Sequence, residues 1–385
     1  MYKFRAKSNI ILSALSFLSL MAFIAVENSK VDVEQDWYAE KLEAAQLAKS
    51  AATNIKDFRL EKGVFIDEVN DPNQTAMIGQ EYTQITTDRG YIEAKLSSTN
   101  PNFAAVIVQL LKDAKVEEGD NVAVAMTGSF PALNIATFAA LETLGLNPIV
   151  ITSVGSSNWG ANDPYFTWLD MENLLNKSKI FHTRSVAASI GGGSDVGRGL
   201  SPQGRELIAK AIQRNKIEFI HEAHIEESIE KRMETYKEHG GGKPIKAFIN
   251  IGGGIASLGN TINGKIIPAG LTAFLPMKNF PVRGVIIQMG QQKIPIIHLL
   301  NISQLLSKYG LPDSPVPMPE PGTGEIFVQK KYNLIVASIA TFILILIVVV
   351  VYFSEQKHQR LGADPIPFSK NQKENKGETE DVPIL

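Results

Sequence analysis

Three glycine-rich turns carry the residues of this chain best suited to bind or transform a ligand. The first is TGSFPALN, from Thr127 to Asn134, which follows an apolar run and opens a helical pattern. Pro131 suits the first turn of that helix, where a missing N–H leaves no donor unpaired. Backbone N–H groups at a helix start favour anions, so Thr127, Gly128, Ser129 and Asn134 are candidate ligand-binding residues. A plain N-cap role for Ser129 is the simpler explanation of the same residues.

Ser129 is also a candidate nucleophile for a hydrolase or a transferase. A catalytic serine needs a base near its hydroxyl and a carboxylate that orients the base, and His182 and Asp195 are the candidates for those roles. The local sequence AMTGS is not the G-x-S-x-G elbow of α/β hydrolases. The sequence therefore leaves open whether the chain is an enzyme.

The second turn, GGGSDVGRGLSPQGR, combines glycines with arginines. Glycine permits a close approach of the backbone to a ligand or a positive φ, and arginine presents a planar fork of donors that matches a carboxylate. A carboxylate-rich ligand fits this combination, although a surface loop with solvated arginines fits it too. The candidate ligand-binding residues here are Arg184, Gly191, Gly192, Gly193, Arg198 and Arg205.

The third turn, NIGGGIASLGN, contributes Gly252, Gly253 and Gly254 as candidate ligand-binding residues. Its spacing does not match the dinucleotide-binding loop, because Ser257 stands where the third glycine is required. The P-loop pattern is also missing, since Gly264 and Lys265 are followed by Ile266. We therefore expect no nucleotide or other cofactor.

The segment HEAHIEE holds the weak candidates for a metal site, His221 and His224. On a helix, residues three and four apart share a face, so the two imidazoles could converge with Glu227 or Ser228. The pattern misses the H-E-x-x-H motif of zinc proteases by one residue. A polar helix face explains the same residues more simply, and we expect no metal.

Composition limits the class of protein. The chain has 385 residues, a formal charge of −2 and no cysteine. Disulfides therefore cannot stabilise it, and a chain without a basic stripe or basic tail is not expected to bind nucleic acid.

Two apolar runs frame the chain. The first, residues 10–26, is preceded by Lys3, Arg5 and Lys7 and followed by acidic residues. The second, residues 334–353, is uncharged and long enough to cross a bilayer. Basic residues precede the first run and follow the second run. They predict that both chain ends are cytoplasmic and that the middle of the chain lies outside the cytosol. A cleaved signal peptide is the alternative for the first run, but Phe23 is a poor residue near the cleavage site, so we favour an uncleaved anchor.

The elements that must position the three turns are short apolar runs alternating with helical sequence. The runs NVAVAM, PIVIT and IKAFINI predict strands, and each leads into a glycine-containing turn. This order predicts an α/β fold, an open and mostly parallel sheet with helices on both faces, flanked by one N-terminal and one C-terminal transmembrane helix. The turns then fall at the carboxyl ends of the strands, where such sheets bind ligands.

The expected organisation has seven parts. It comprises a cytoplasmic N-terminus at 1–9, an anchor at 10–26, a membrane-proximal helix and connector at 27–75, an extracytoplasmic α/β domain at 76–310, a proline-rich linker at 311–333, a transmembrane helix at 334–353 and a disordered cytoplasmic tail at 354–385.

Between about Thr83 and Leu306 the chain resembles the bacterial family called poly-γ-glutamate system protein. The resemblance is carried by TGSFPALNIA, SSNWGANDP, TWLDME, RSVAASIGGGSDVGRGLSPQGR and FINIGGG. It implies a two-pass protein of the bacterial inner or cell membrane that helps to make, export or display a γ-linked glutamate polymer. The implied partners are poly-γ-glutamate or its oligomers, a membrane-bound polyglutamate ligase complex and the lipid bilayer. The resemblance transfers no catalytic residue to this chain.

Overall fold

The computed structural model describes residues 9–361 except 277, 278 and 281, and it describes side chains from 10 to 354. The predicted cytoplasmic N-terminus and most of the predicted tail lie outside the described residues. The chain divides into two compact units. One comprises Met1–Asp32 with Lys330–Leu385, and the other comprises Val33–Gln329.

The first unit contains the two terminal helices, α1 (Asn9–Asn28) and α13 (Leu334–Leu361). The windows Ile10–Asn28 and Leu334–Ser354 are long and apolar enough to cross a membrane, and none of either window is buried within the protein. Both agree with the predicted runs at 10–26 and 334–353. Because exposed apolar side chains such as Phe17 and Phe342 are unfavourable in water, these helices are suited to a lipid environment.

The second unit is built on a seven-stranded sheet. Its strands, in spatial order, are β7 (Glu218–Phe219), β6 (Ser185–Ser189), β4 (Asn147–Ser153), β3 (Asn121–Thr127), β8 (Ile245–Ile251), β10 (Ile296–Leu299) and β9 (Gly270–Thr272). All neighbouring pairs are parallel except β10 with β9. The prediction of an α/β fold with a mostly parallel sheet is therefore confirmed.

Helices cover both faces of this sheet because its central strands are apolar on both sides. Along β3, Val122, Val124 and Met126 belong to one hydrophobic core, and Ala123 and Ala125 belong to the other. The first core is completed by α2 (Tyr38–Glu61), α4 (Phe103–Asp113), α5 (Pro131–Thr143), α6 (Trp168–Lys177), α7 (Pro202–Arg214) and α12 (Ile302–Tyr309). The second is completed by α8 (Ile225–His239), α9 (Ile255–Leu258) and α11 (Val285–Gln291).

The remaining elements are short. They are α3 (Ile92–Ser98), α10 (Asn263–Ile266), β1 (Val31–Glu34), β2 (Thr86–Asp88), β5 (Ser156–Ser157) and β11 (Val328–Lys331). β1 pairs with β11, and β2 pairs with β5 in parallel. The pair β2–β5 attaches β2 to the turn that follows β4, because β5 lies in that turn.

The compact unit Val33–Gln329 is larger than the predicted domain at 76–310. The helix α2 buries an alanine-rich stripe that includes Ala44 and Ala48 against the first core, so it belongs to the folded unit. The proline-rich segment is also attached to this unit. The Asn102 side chain donates to the Glu320 carbonyl oxygen at 3.0 Å, and the Ser97 hydroxyl donates to the Asp313 carboxylate at 2.7 Å. These bonds hold the segment against α3 and α4 instead of leaving it as a free spacer.

Candidate functional site

The three glycine-rich turns meet at the carboxyl edge of the sheet. They follow β3, β6 and β8, which run parallel within one sheet. After β3 the chain continues to β4 on one side, whereas after β8 it continues to β9 and then to β10 on the other side. The neighbouring pair β3 and β8 is therefore a topological switch point, the place where open α/β sheets form a crevice for ligands.

At this edge the first and third turns are in direct contact, and the second turn packs against the end of β4. A Cβ on Gly252 would collide with the Thr127 hydroxyl, and one on Gly254 would lie 3.2 Å from Thr127 Cγ2. A Cβ on Gly191 would lie 3.1 Å from Ser153 Cβ, at the end of β4. Gly252 also has a φ of +82°, which other residues adopt only under strain. Glycine is thus required where the chain approaches a neighbouring turn or strand end this closely. Gly253 is the only exposed residue of the third turn.

A buried ion pair fixes the second turn to the sheet. Asp195 lies 3.0 Å from Arg232 of α8, and the two side chains are 1% and 2% exposed. The Asp195 carboxylate also accepts hydrogen bonds from the hydroxyls of Ser189 at 2.7 Å and Ser228 at 2.6 Å. With its oxygens engaged in this way, Asp195 positions the turn, and it makes no contact with His182 or Ser129.

The two arginines of the second turn differ in exposure, but neither guanidinium is paired with a carboxylate among the described residues. Arg198 is exposed, and Arg205 is half-buried with one bond, from Nη1 to the Leu200 carbonyl oxygen at 2.8 Å. Within the part of the chain that the structure describes, neither forms an ion pair with a carboxylate. Arg89, which follows β2, is exposed and likewise free of a carboxylate partner among those residues. These three guanidiniums are available to bind an anion.

Arg184 does not belong to this group. It precedes β6, at the amino edge of the sheet, where it donates to the Asn215 carbonyl oxygen at 3.1 Å and lies 3.8 Å from Glu172. A strand of five residues separates it from the turn, which is about 17 Å of extended chain. The structure therefore brings together two of the three predicted arginines.

Residues 80–91, which we call the covering segment, lie over the carboxyl edge. The Asn158 side chain donates to the Glu81 carbonyl oxygen at 2.7 Å and accepts from the Gly90 N–H at 3.1 Å. The Thr87 hydroxyl donates to the Ser156 carbonyl oxygen at 3.1 Å. Thr87 also lies so close to Gly192 that a Cβ there would contact it at 2.9 Å. The segment thus connects the turns after β4 and β6.

The first turn places Ser129 just before α5, but Phe130 and not Ser129 occupies the N-cap position, and no side chain caps the helix. The Ser129 hydroxyl accepts from the Ser157 N–H at 3.0 Å. The Asn134 side chain donates to the Thr127 carbonyl oxygen at 2.9 Å. Among the described residues, no histidine or carboxylate hydrogen-bonds to Ser129, so the triad considered for it is not assembled.

Lys95 of α3 occupies the space beside Ser129. Its ammonium nitrogen donates to the Ser129 carbonyl oxygen, lies 3.0 Å from Ser157 Oγ and stands 3.6 Å from the centroid of the Phe130 ring. The residue is only 3% exposed. Removal from water disfavours its charged form and lowers the pKa of Lys95 to about 7.

His182 lies at the opposite, amino edge of the sheet. Its ring nitrogen is 3.2 Å from Glu142 of α5, and its side chain is 85% exposed. Burial of Glu142 raises its pKa, but hydrogen bonds from Thr183 and His182 outweigh that effect and leave the pKa lowered. At the same edge, burial raises the pKa of Glu172 to about 7, even though Ser185 donates hydrogen bonds to it.

The candidate metal residues do not share a helix. His221 precedes α8, and His224 is the residue before its first turn, so the convergence on one helical face does not occur. Within the described residues no group of three or more histidine or acidic side chains is arranged to hold a metal ion.

A cavity of about 190 Å³ lies between α2, α5 and the proline-rich segment, away from the turns after β6 and β8. Its lining includes Lys49, Met77, Asn100, Ile135 and Met318. Lys49 forms an ion pair with Glu320 at its rim, and the buried Asn100 amide nitrogen has no hydrogen-bond partner among the residues that the structure describes.

Two residues that matter at the carboxyl edge were missed from the sequence, Lys95 and Arg232. Both belong to helices rich in polar residues, where a lysine or arginine normally points to water. Nothing in the spacing marks either as buried, so only the folded structure identifies them.

Comparisons of the chain with protein-family models, with curated proteins and with solved structures found no match.

Proposed function

We propose that this chain is a membrane-anchored accessory protein of poly-γ-glutamate synthesis, export or display. In this proposal α1 and α13 span the membrane, both chain ends are cytoplasmic, and Val33–Gln329 lies outside the cytosol. Its carboxyl edge binds the glutamate polymer as the ligase complex releases it. The identity of the polymer in this proposal rests on the family resemblance. The two apolar helices are compatible with membrane anchoring.

The observation that carries the proposal is a pair of guanidiniums at the carboxyl edge of the sheet, neither of which forms an ion pair with a carboxylate among the described residues. Arg198 and Arg205 lie in the turn after β6, where neither has a carboxylate partner among the described residues. Each unit of a γ-linked glutamate polymer carries one free carboxylate, and guanidinium binds carboxylate through two parallel hydrogen bonds. The buried Asp195–Arg232 pair holds the turn in place, so binding would order little backbone.

The slightly negative chain suits transient contact. With a formal charge of −2, the protein as a whole does not attract a polyanion from a distance. Binding would then depend on the local guanidiniums, with moderate affinity. Such affinity suits a protein that guides a moving polymer and releases it.

Equilibrium binding of fluorescent γ-glutamate oligomers to the full chain in neutral lipid nanodiscs tests the proposal. The double variant Arg198→Ala with Arg205→Ala is expected to bind about tenfold more weakly, because exposed charge pairs contribute about 0.5–1 kcal/mol each. Binding by the unaltered protein is expected to weaken as salt is raised.

The matched control is Lys243→Ala with Lys246→Ala, which removes two exposed positive charges at the amino edge, before and within β8. We expect this variant to bind within twofold of the unaltered protein. Equal losses in both double variants would indicate a net-charge effect and would refute a site at the carboxyl edge. Binding that does not respond to salt would refute it as well.

A further inference from the structure

We propose that Ser157 and Lys95 form a nucleophile–base pair for acyl transfer, buried beneath the covering segment at residues 80–91. Neither residue was a candidate in the sequence. The proposal goes beyond polymer binding, because it assigns a covalent step to a different set of atoms. It rests on the geometry around the Lys95 amine.

The groups around the Lys95 amine can form hydrogen bonds with it in both its charged and its neutral state. As an ammonium it can donate to the Ser129 carbonyl oxygen and to Ser157 Oγ while its third N–H faces the Phe130 ring. As a neutral amine it can keep the bond to Ser129 and accept the Ser157 hydroxyl proton with its lone pair, at the same separation of 3.0 Å. A general base must lie within this distance of the proton that it removes.

Among the residues that the structure describes, no carboxylate forms an ion pair with this lysine. The groups that face its amine come from the turn after β3 and from β5, and they are a carbonyl oxygen, a hydroxyl and an aromatic ring. The acidic residue of its own helix, Glu93, is exposed. Burial lowers the pKa of Lys95 to about 7, so a large share of the amine is neutral near neutral pH.

The chemical step follows from this arrangement. Ser157 Oγ bonds to the carbonyl carbon of an ester or amide while its proton moves to Lys95 Nζ. The tetrahedral intermediate then expels an alcohol or amine, which takes that proton from Lys95. Water attacks the resulting Ser157 ester, gives a proton to Lys95 and releases the acid, and Ser157 recovers its proton.

Access to Ser157 requires displacement of the covering segment. Ser157 is 8% exposed, and a Cβ on Gly90 would lie 2.8 Å from its hydroxyl oxygen. The segment is attached at this point through both polar atoms of the Asn158 side chain. Asn158→Ala removes both bonds and is expected to open the site.

A fluorophosphonate probe tests the pair without any polymer. Ser157 Oγ would attack phosphorus and displace fluoride while Lys95 takes the proton, leaving a stable adduct whose position mass spectrometry identifies. We expect labelling of Ser157 in the full chain and faster labelling in Asn158→Ala. Lys95→Met is expected to lower the rate at least ~100-fold, the contribution of a general base, and Ser157→Ala is expected to abolish the adduct. Ser194→Ala, which removes a hydroxyl from the neighbouring second turn, is the matched control and is expected to label normally.

The pH dependence of labelling keeps the test valid if Lys95→Met fails to fold. In the unaltered protein the rate is expected to rise through neutral pH and to level off above it, as Lys95 loses its proton. Absence of a Ser157 adduct in both the unaltered protein and Asn158→Ala would overturn the proposal. So would an adduct on Ser129, or a Ser157 adduct that forms independently of pH. Polymer binding is measured separately, so either proposal can fail without the other.

Discussion

Replacement of Glu172 by glutamine is expected to stabilise the folded protein above neutral pH. Glu172 of α6 is buried, and its carboxylate accepts from the Ser185 N–H at 2.8 Å and from the Ser185 hydroxyl at 2.7 Å. Arg184 lies 3.8 Å away, too far for a hydrogen bond. Burial outweighs these contacts and raises the pKa of Glu172 from 4.5 to about 7, so ionisation of this side chain opposes folding.

The sign and magnitude follow from that difference. Between pH 4.5 and 7 the unfolded chain has released the Glu172 proton and the folded chain retains it, so the free energy of unfolding falls as pH rises. The loss is complete above pH 7 and amounts to about 3 kcal/mol for a difference of roughly 2.5 pKa units. A glutamine side chain at this position cannot ionise. It keeps an acceptor for the Ser185 N–H, and its amide can donate to the Ser185 hydroxyl, which then turns toward Thr152 at 2.8 Å.

Urea unfolding of the full chain in detergent, followed by tryptophan fluorescence, measures this effect. Trp168 is buried at the start of α6, near the substituted residue. Near pH 5 the two proteins are expected to agree within about 1 kcal/mol, and at pH 8 Glu172→Gln is expected to be more stable by about 3 kcal/mol.

Glu142→Gln is the matched control, since Glu142 lies at the same edge of the sheet and its pKa is shifted in the opposite direction. Hydrogen bonds from Thr183 and His182 outweigh burial and lower the pKa of Glu142. Its charged form therefore stabilises the fold above its ordinary pKa, and the glutamine variant should be less stable at neutral pH. If Glu172→Gln were instead less stable than the unaltered protein at every pH, Arg184 would be a true ionic partner and the argument from burial would be refuted.

Three further outcomes are expected. Arg232→Ala leaves the buried Asp195 charge unpaired and should lower the free energy of unfolding by about 3–5 kcal/mol in urea; a loss below about 1 kcal/mol would contradict the burial of the pair. Gly252→Ala, at a φ of +82° and against the Thr127 hydroxyl, should cost about 1–3 kcal/mol by the same measurement, and an unchanged stability would contradict this packing. The chain has no cysteine, so single cysteines can report its topology in cells whose outer envelope is permeable and whose inner membrane is intact. A membrane-impermeant maleimide should label Tyr165→Cys, whose parent residue is 78% exposed, and should not label Ser369→Cys. Labelling of Ser369→Cys without labelling of Tyr165→Cys would overturn the proposed topology.

The central strands could be predicted from the sequence because they are buried on both faces. The run Ile245–Ile251 coincides with β8, and the runs at 121–126 and 148–152 match β3 and β4 within a residue or two. A strand covered by helices on both sides is mostly apolar, which gives a nearly continuous hydrophobic signal. The edge strands β7 and β9 have only two and three residues, and these are too short to leave such a pattern.

The site was predicted only in part, because distance along the chain does not give distance in the fold. Arg184 is seven positions before Gly191 in the sequence, yet β6 carries the chain across the sheet between them. In contrast, Thr127 and Gly252 are far apart in sequence and in contact in the structure. The order of parallel strands decides such pairs, and local sequence does not determine that order.

Burial of a charged side chain is the other property that sequence did not indicate. Arg232 lies in a helix with acidic and basic residues around it, which favours a solvated helix. It is buried because Asp195 and the hydroxyls of Ser189 and Ser153 face it, and Ser153 accepts from it at 3.0 Å. Each partner comes from a different strand end or turn. The sequence would have to specify all of them together before the burial could be inferred.

This buried network and the exposed Arg198 guanidinium are parts of one arrangement. The second turn has several residues with positive φ, including Gly191 and Asp195, and a turn of this kind is mobile unless something holds it. The Asp195–Arg232 pair anchors its middle in the protein interior, while Arg198, three residues later, faces solvent. Loss of Arg232 should therefore weaken oligomer binding as well as stability, even though Arg232 is too deeply buried to touch a polymer. Under conditions in which Arg232→Ala is still folded, a lower affinity with an unchanged dependence on salt would indicate that the turn, and not the number of surface charges, had changed.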